Sequence, residues 1–168
     1  MSTADKRVAE CEVAAPGGAM RLTVRRARAT DAVPLGFFFD TLLRRDYFMR
    51  RGQLTHMLQS PRHGVWVAEI DTVLVGVAIT TCGTRLVNAL VHPAYRGLGI
   101  GRELVRQTRA TEVRAKLDMH SGDPRGFYRA LGYESTGKRN EKGNIEIMRW
   151  RGRRETPTRA GRRAASVG

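Results

Sequence analysis

From Met20 to Arg26 the chain alternates, with Leu22 and Val24 set between Arg21, Thr23 and Arg25. That two-residue period predicts a first strand with one buried face. Thr30-Asp31 then offers a capping side chain, and Pro34 sits in the turn where a missing N–H costs nothing, so a helix begins here. It runs through Phe37-Phe38-Phe39 to Leu42 and Leu43, and a second helical stretch covers 46–58 before Ser60-Pro61. Two β-rich runs, 65–70 and 73–80, meet at Asp71-Thr72 and predict a hairpin. A third run, 84–91, stops at His92-Pro93, and helical spacing returns from Arg102 to about Lys116. Residues 117–120 read as a short strand. Asp123-Pro124 starts a helix that lasts to Leu131 and is closed by Gly132. Strands at 133–138 and 145–150, turning through 140–143, complete the pattern. The predicted order is β-α-α-β-β-β-α-β-α-β-β, a mixed α/β fold whose first half is an antiparallel meander.

The flanks carry little apolar patterning. Residues 1–19 end in Pro16-Gly17-Gly18 and are expected to form a disordered leader, with Met20 as an alternative start. Residues 151–168, rich in Arg, Gly, Thr and Ala, are expected to be a disordered basic tail, which leaves 20–150 as one domain. The net charge is +14: residues 1–19 contribute −1, residues 20–150 contribute +10 and the tail contributes +5. A cationic core favours an anionic cofactor, an acidic substrate or nucleic acid. Cys11 and Cys82 stand far apart and the four histidines form no close pair, so neither a disulfide framework nor a metal site is expected. No apolar leader or membrane-length run is present, and a cytoplasmic location is the expectation.

The candidate chemistry sits between the 84–91 strand and the following helix, in Arg96-Gly97-Leu98-Gly99-Ile100-Gly101. A glycine loop at a helix N-terminus can aim unpaired N–H groups at a phosphate. A Walker loop would end in Gly-Lys-Ser/Thr, whereas this one continues Gly101-Arg102-Glu103. A dinucleotide loop would need a third glycine where Arg102 stands. Arg96-x-x-Gly99-x-Gly101, preceded by Val91-His92-Pro93-Ala94-Tyr95, resembles instead the acetyl-CoA loop of the GNAT acetyltransferase superfamily. Gly126-Phe127-Tyr128-Arg129-Ala130-Leu131-Gly132-Tyr133 is similar to that family's second signature, and the element order matches its fold from about Met20 to Trp150.

The resemblance implies a GNAT-like sheet of six to seven strands with helices on both faces. It implies an N-acetyltransferase that takes the acetyl group from acetyl-CoA and gives it to a primary amine by direct attack. The amides of Arg96, Gly97, Leu98, Gly99, Ile100 and Gly101 would surround the pyrophosphate. Backbone groups of Leu90 and Val91 would pair with the pantetheine arm, and Tyr128 would protonate or hydrogen-bond the leaving sulfur. Where the family often has Asn on that arm, this chain has Ser121, followed by Pro124 in place of Ala. The general base is open: the family's glutamate at the start of the fourth strand is replaced by the neighbourhood of Arg85, which leaves Glu69, then His120, or a water chain. The acceptor, a small molecule, a peptide or an aminoacyl-tRNA, would lie by Arg44, Arg45, Arg50, Arg51, Tyr47 and Phe48, which as readily form a solvated face. Family members often form homodimers through the last strands. The competing reading is a catalytically silent module of the same fold that binds nucleic acid through its basic surface and tail.

Overall fold

The computed structural model describes residues 8–42, 51–117, 119 and 122–152. Eight strands form one sheet: β1 (Ala9–Ala15), β2 (Gly18–Arg26), β3 (His63–Ile70), β4 (Val73–Thr81), β5 (Arg85–Val91), β6 (Glu112–Lys116), β7 (Tyr133–Arg139) and β8 (Ile145–Trp150). Their order across the sheet is β1-β2-β3-β4-β5-β6-β8-β7. Every neighbouring pair is antiparallel except β5 and β6. Helices α1 (Ala32–Leu42) and α2 (Arg51–Gln59) cover one face, and α3 (Ile100–Thr108) and α4 (Arg125–Ala130) the other. No described helix is long and apolar enough to cross a membrane.

Two hydrophobic layers result. Leu35, Phe38 and Phe39 of α1 meet Val65, Val67, Val77 and Ile79 on one face. The helical period turns Phe37 outward, and it is 68% exposed while Phe38 and Phe39 are buried. On the other face Ile100, Leu104 and Val105 of α3 pack on Leu22, Val24, Ala68, Val75 and Leu86. Gly76 permits the close approach there, because a Cβ on it would stand 2.8 Å from Leu104 Cδ1. With both faces covered, β3 and β4 read as nearly continuous apolar runs rather than alternating ones.

The structure corrects three expectations. Much of the supposed disordered leader is ordered: Ala9–Ala15 pairs with β2 in full register from Ala9↔Val24 to Ala15↔Gly18, through a Pro16-Gly17 turn. The free edge of β2 offers an unpaired ladder, and Val13, 7% exposed, anchors the added strand. The helix expected over 102–116 ends at Thr108, where Arg109 adopts a left-handed conformation (φ 51°). The strand expected at 117–120 is therefore displaced to Glu112–Lys116. Five residues of pairing with β8 and the inward Val113 and Ala115 outweigh the helical propensity of that stretch. Residues 43–50, where the second helix was expected to start, and residues 153–168 of the expected tail lie outside the described residues. The Asp71-Thr72 hairpin forms as expected, with φ of 47° and 75° at its two turn residues.

Candidate active site

The parallel pair β5–β6 opens almost as soon as it forms. Only Arg85↔Glu112 and Leu86↔Val113 are paired, although β5 continues to Val91 and β6 to Lys116. The closed end is pinned by Arg85 Nε donating to Glu112 Oε1 at 2.6 Å. Beyond Leu86 the two strands diverge, so one backbone edge of β5 lacks a strand partner. The His92 amide donates to Val75 O on β4 at 2.8 Å. Backbone groups two residues apart in a strand point the same way, so Leu90 also turns toward β4, and Ala89 and Val91 face the gap. Geometry thus moves the expected Leu90–Val91 edge to Ala89 and Val91. Sequence alone could not settle that parity.

At the mouth of the gap the chain makes a one-turn helix (Pro93–Tyr95), held by the Ala94 amide donating to His92 Nδ1 at 3.1 Å. The glycine loop follows. Gly97 and Gly99 take φ of 80° and 82°, a region that costs any other residue about 1–2 kcal/mol. Gly99 caps α3, and the first bond closing that helix runs from the Glu103 amide to Gly99 O at 3.1 Å. The amides from Gly97 to Arg102 meet no acceptor among the described residues. Leu98 and Ile100 turn their side chains into the core and hold this row of donors in place. Arg96 is exposed and its Nε donates to Val91 O at 3.4 Å, across the mouth of the gap.

The third part of the site is α4, which at six residues is too short to be stable alone. Its position is set by contacts. Asp123 Oδ1 accepts from the Arg125 amide at 2.9 Å, and Arg125 also reaches the buried Glu146 of β8 at 3.5 Å. A Cβ on Gly101 would lie 3.4 Å from Phe127 Cζ and 3.6 Å from Val91 Cγ2, so the loop, the gap strand and α4 converge at that glycine. Tyr128 packs edge-on between Phe127 and Tyr133, is 8% exposed, and its hydroxyl has no hydrogen-bond partner among the described residues. Burial, with a smaller contribution from Tyr133, pushes its phenol up to about 12. It stays protonated and keeps a free donor.

Residues 61–135 match the family model described as "Acetyltransferase (GNAT) domain", a span from the approach to β3 to the start of β7 that takes in the gap, the loop and α4. Over those residues, a little under half of the chain, the sequence is similar to a GNAT acetyltransferase domain. The chain's fold is similar to that of PaiA N-acetyltransferase from Thermoplasma acidophilum in complex with coenzyme A, at 16% identity and TM-score 0.57, covering 77% of this chain and 98% of that one. It is also similar to the ribosomal-protein-S18-alanine N-acetyltransferase from Escherichia coli (16% identity, TM-score 0.58, 77% and 92% covered). A third is the aminoglycoside N-acetyltransferase AAC(6')-Iy in complex with CoA (17% identity, TM-score 0.59, 75% and 95% covered). No curated protein sequence matches the chain significantly.

The other expected site residues are dispersed. Glu69, on the α1 side of β3, accepts from Arg25 Nη2 at 2.6 Å, while the same guanidinium grips Asp31 at 2.8 Å. That cluster ties β2, β3 and the turn before α1 together. It holds the Asp31 carboxyl below the usual carboxylate range, first through the hydrogen bond from Arg25. His120 and Ser121 lie outside the described residues, as do Arg44, Arg45, Tyr47, Phe48 and Arg50 and the side chain of Arg51. Sequence reasoning had not singled out Ala89 for the gap or Arg125 for the placement of α4. The Asp-Pro-Arg run at 123–125 was the available signal for the latter.

Proposed function

We propose that this GNAT domain is an acetyl-CoA-dependent N-acetyltransferase acting on a primary amine. The observation that carries the reading is the early divergence of β5 from β6 beside a loop of six unmatched amides. A pyrophosphate suits those donors, which lie at the positive end of α3 with glycine allowing close approach. A pantetheine amide suits the open edge at Ala89 and Val91, as an added strand would. Acetyl-CoA supplies an acetyl thioester when bound. Arg96 leaves Val91 O to admit the arm and remains as a cation beside the phosphates. Tyr128 donates its hydrogen to the sulfur as negative charge develops there, a role that requires a neutral phenol at working pH. Glu69 already accepts from Arg25, so the amine proton leaves through His120 or through water at the gap. The relatives' acceptors, a ribosomal-protein alanine and an aminoglycoside, share amine chemistry, which supports an amine here without selecting one.

Two measurements test this. Acetyl-CoA at about 100 times its Kd stabilises the protein by about 2.7 kcal/mol in thermal or chemical unfolding. Free thiol then appears only when an amine is added, with an acetylated amine as the second product by mass spectrometry. Absence of stabilisation at millimolar acetyl-CoA refutes the donor, and thiol release without an acetylated amine refutes the transfer.

A further inference from the structure

A cavity of about 350 Å³ lies at the opposite end of α3 from the glycine loop. Val105, Leu131, Tyr133 and Trp150 line it, and Arg106 and Arg109 stand in its wall. Nine helical residues span about 13 Å, so these groups are remote from the amide row. The Trp150 amide donates to Thr111 O at 2.8 Å, and Tyr133 Oη donates to Ala110 O at 2.5 Å, which anchors both residues by their polar groups. The indole rests over two glycines, since a Cβ on Gly132 would come within 3.3 Å of its Nε1 and one on Gly152 within 3.9 Å of the ring. Even so, Trp150 is 52% exposed, whereas the chain's other tryptophan, Trp66, is 4% exposed.

The charge around this shelf is under-compensated. Arg109 has no ion-pair partner among the described residues. The nearest carboxylate to Arg106 is Glu103 at 4.0 Å, and Glu103 already accepts from Gln107. Arg149 and Arg151, flanking Trp150, reach Glu112 and Glu134 only at 3.9 and 4.0 Å.

We propose that this shelf docks single-stranded nucleic acid, with an unpaired base against Trp150 and phosphates on Arg106 and Arg109. An aromatic face beside a cationic groove is the combination that takes successive bases without sequence readout. A duplex keeps its bases stacked and offers none to the indole. An acidic peptide would meet the arginines but leave the indole and apolar walls idle. The proposal does not depend on acetyl transfer.

The test uses the full chain with labelled oligouridine and oligodeoxythymidine of about 12 nucleotides, read by anisotropy across about 50–300 mM salt. Saturable binding is expected, with quenching of the exposed tryptophan. Trp150→Ala weakens it by about 5- to 100-fold. Arg106→Ala with Arg109→Ala lowers the slope of log affinity against log salt by about 1.4. Each variant is checked for unchanged melting and unchanged stabilisation by acetyl-CoA, so a folding defect is distinguished from a lost contact. Trp150→Phe, which keeps a flat ring, retains most of the affinity. Failure to saturate at low salt overturns the proposal. So does equal binding by Trp150→Ala, tighter binding of duplex, or equal competition by inorganic polyphosphate of the same charge.

Discussion

Replacing Tyr128 by Phe removes one hydroxyl from a site where nothing else among the described residues bonds to it, and the structure sets the size of the effect. The phenol is held at about 12, whereas an ordinary thiol titrates near 8.5. Complete proton transfer from phenol to thiolate is therefore uphill by about 5 kcal/mol. Tyr128 acts by donating a hydrogen bond to growing charge, an interaction worth about 1.5–3 kcal/mol. We expect Tyr128→Phe to lower kcat by roughly 10- to 100-fold, with the Kd for acetyl-CoA changed by less than about twofold. The assay is thiol release at saturating amine and donor, with donor affinity measured separately by calorimetry. Because the phenol stays neutral, the ratio of wild-type to variant kcat stays level from about pH 7 to pH 10. A ratio that collapses near pH 9, or equal kcat for the two proteins, refutes the role. Stability supplies an independent check. A folded value raised above the unfolded value near 10 gives stability that is full below pH 10 and lost as pH climbs toward 12. For a group this buried the loss is about 2–3 kcal/mol, and the phenylalanine variant, lacking the group, shows a shallower alkaline decline in urea unfolding.

Glu69→Gln separates a structural carboxylate from a catalytic one. With Arg25 already on it at 2.6 Å, the change costs about 1 kcal/mol of stability and leaves kcat within about threefold, whereas a loss of 100-fold or more would make Glu69 the base. Thr72→Gly relieves a β-branched residue at φ 75° in the β3–β4 turn. It raises the melting temperature by about 2–4 °C, and a lower melting temperature would refute the strain argument.

The legible parts of this protein are those whose physics is local. Leu22/Val24, the Asp71-Thr72 turn and Asp123-Pro124 each declare an element within a few residues, and all three are where the pattern put them. Strand 9–15 was missed although Ala9, Cys11 and Val13 alternate with Glu10 and Glu12. So little apolar surface cannot hold a strand unless β2 presents a free edge, which is a property of the assembled sheet. The end of α3 was missed for a similar reason, since the long-range ladder of 112–116 with β8 decides against local helix propensity.

The site divides the same way. Gly97, Gly99 and Gly101 are read directly from the chain because a left-handed turn and a close contact at a helix start select glycine locally. The resemblance to the GNAT family was accordingly in view from two short motifs and their spacing. Tertiary structure alone decided that β5 and β6 part after two residue pairs, that Ala89 and Val91 rather than Leu90 face the opening, and that Glu69 is spent on Arg25. It alone set Trp150 over two glycines at the far end of α3. Each of these depends on which backbone edge or side chain another, distant segment has already taken, and that is settled only when the sheet closes.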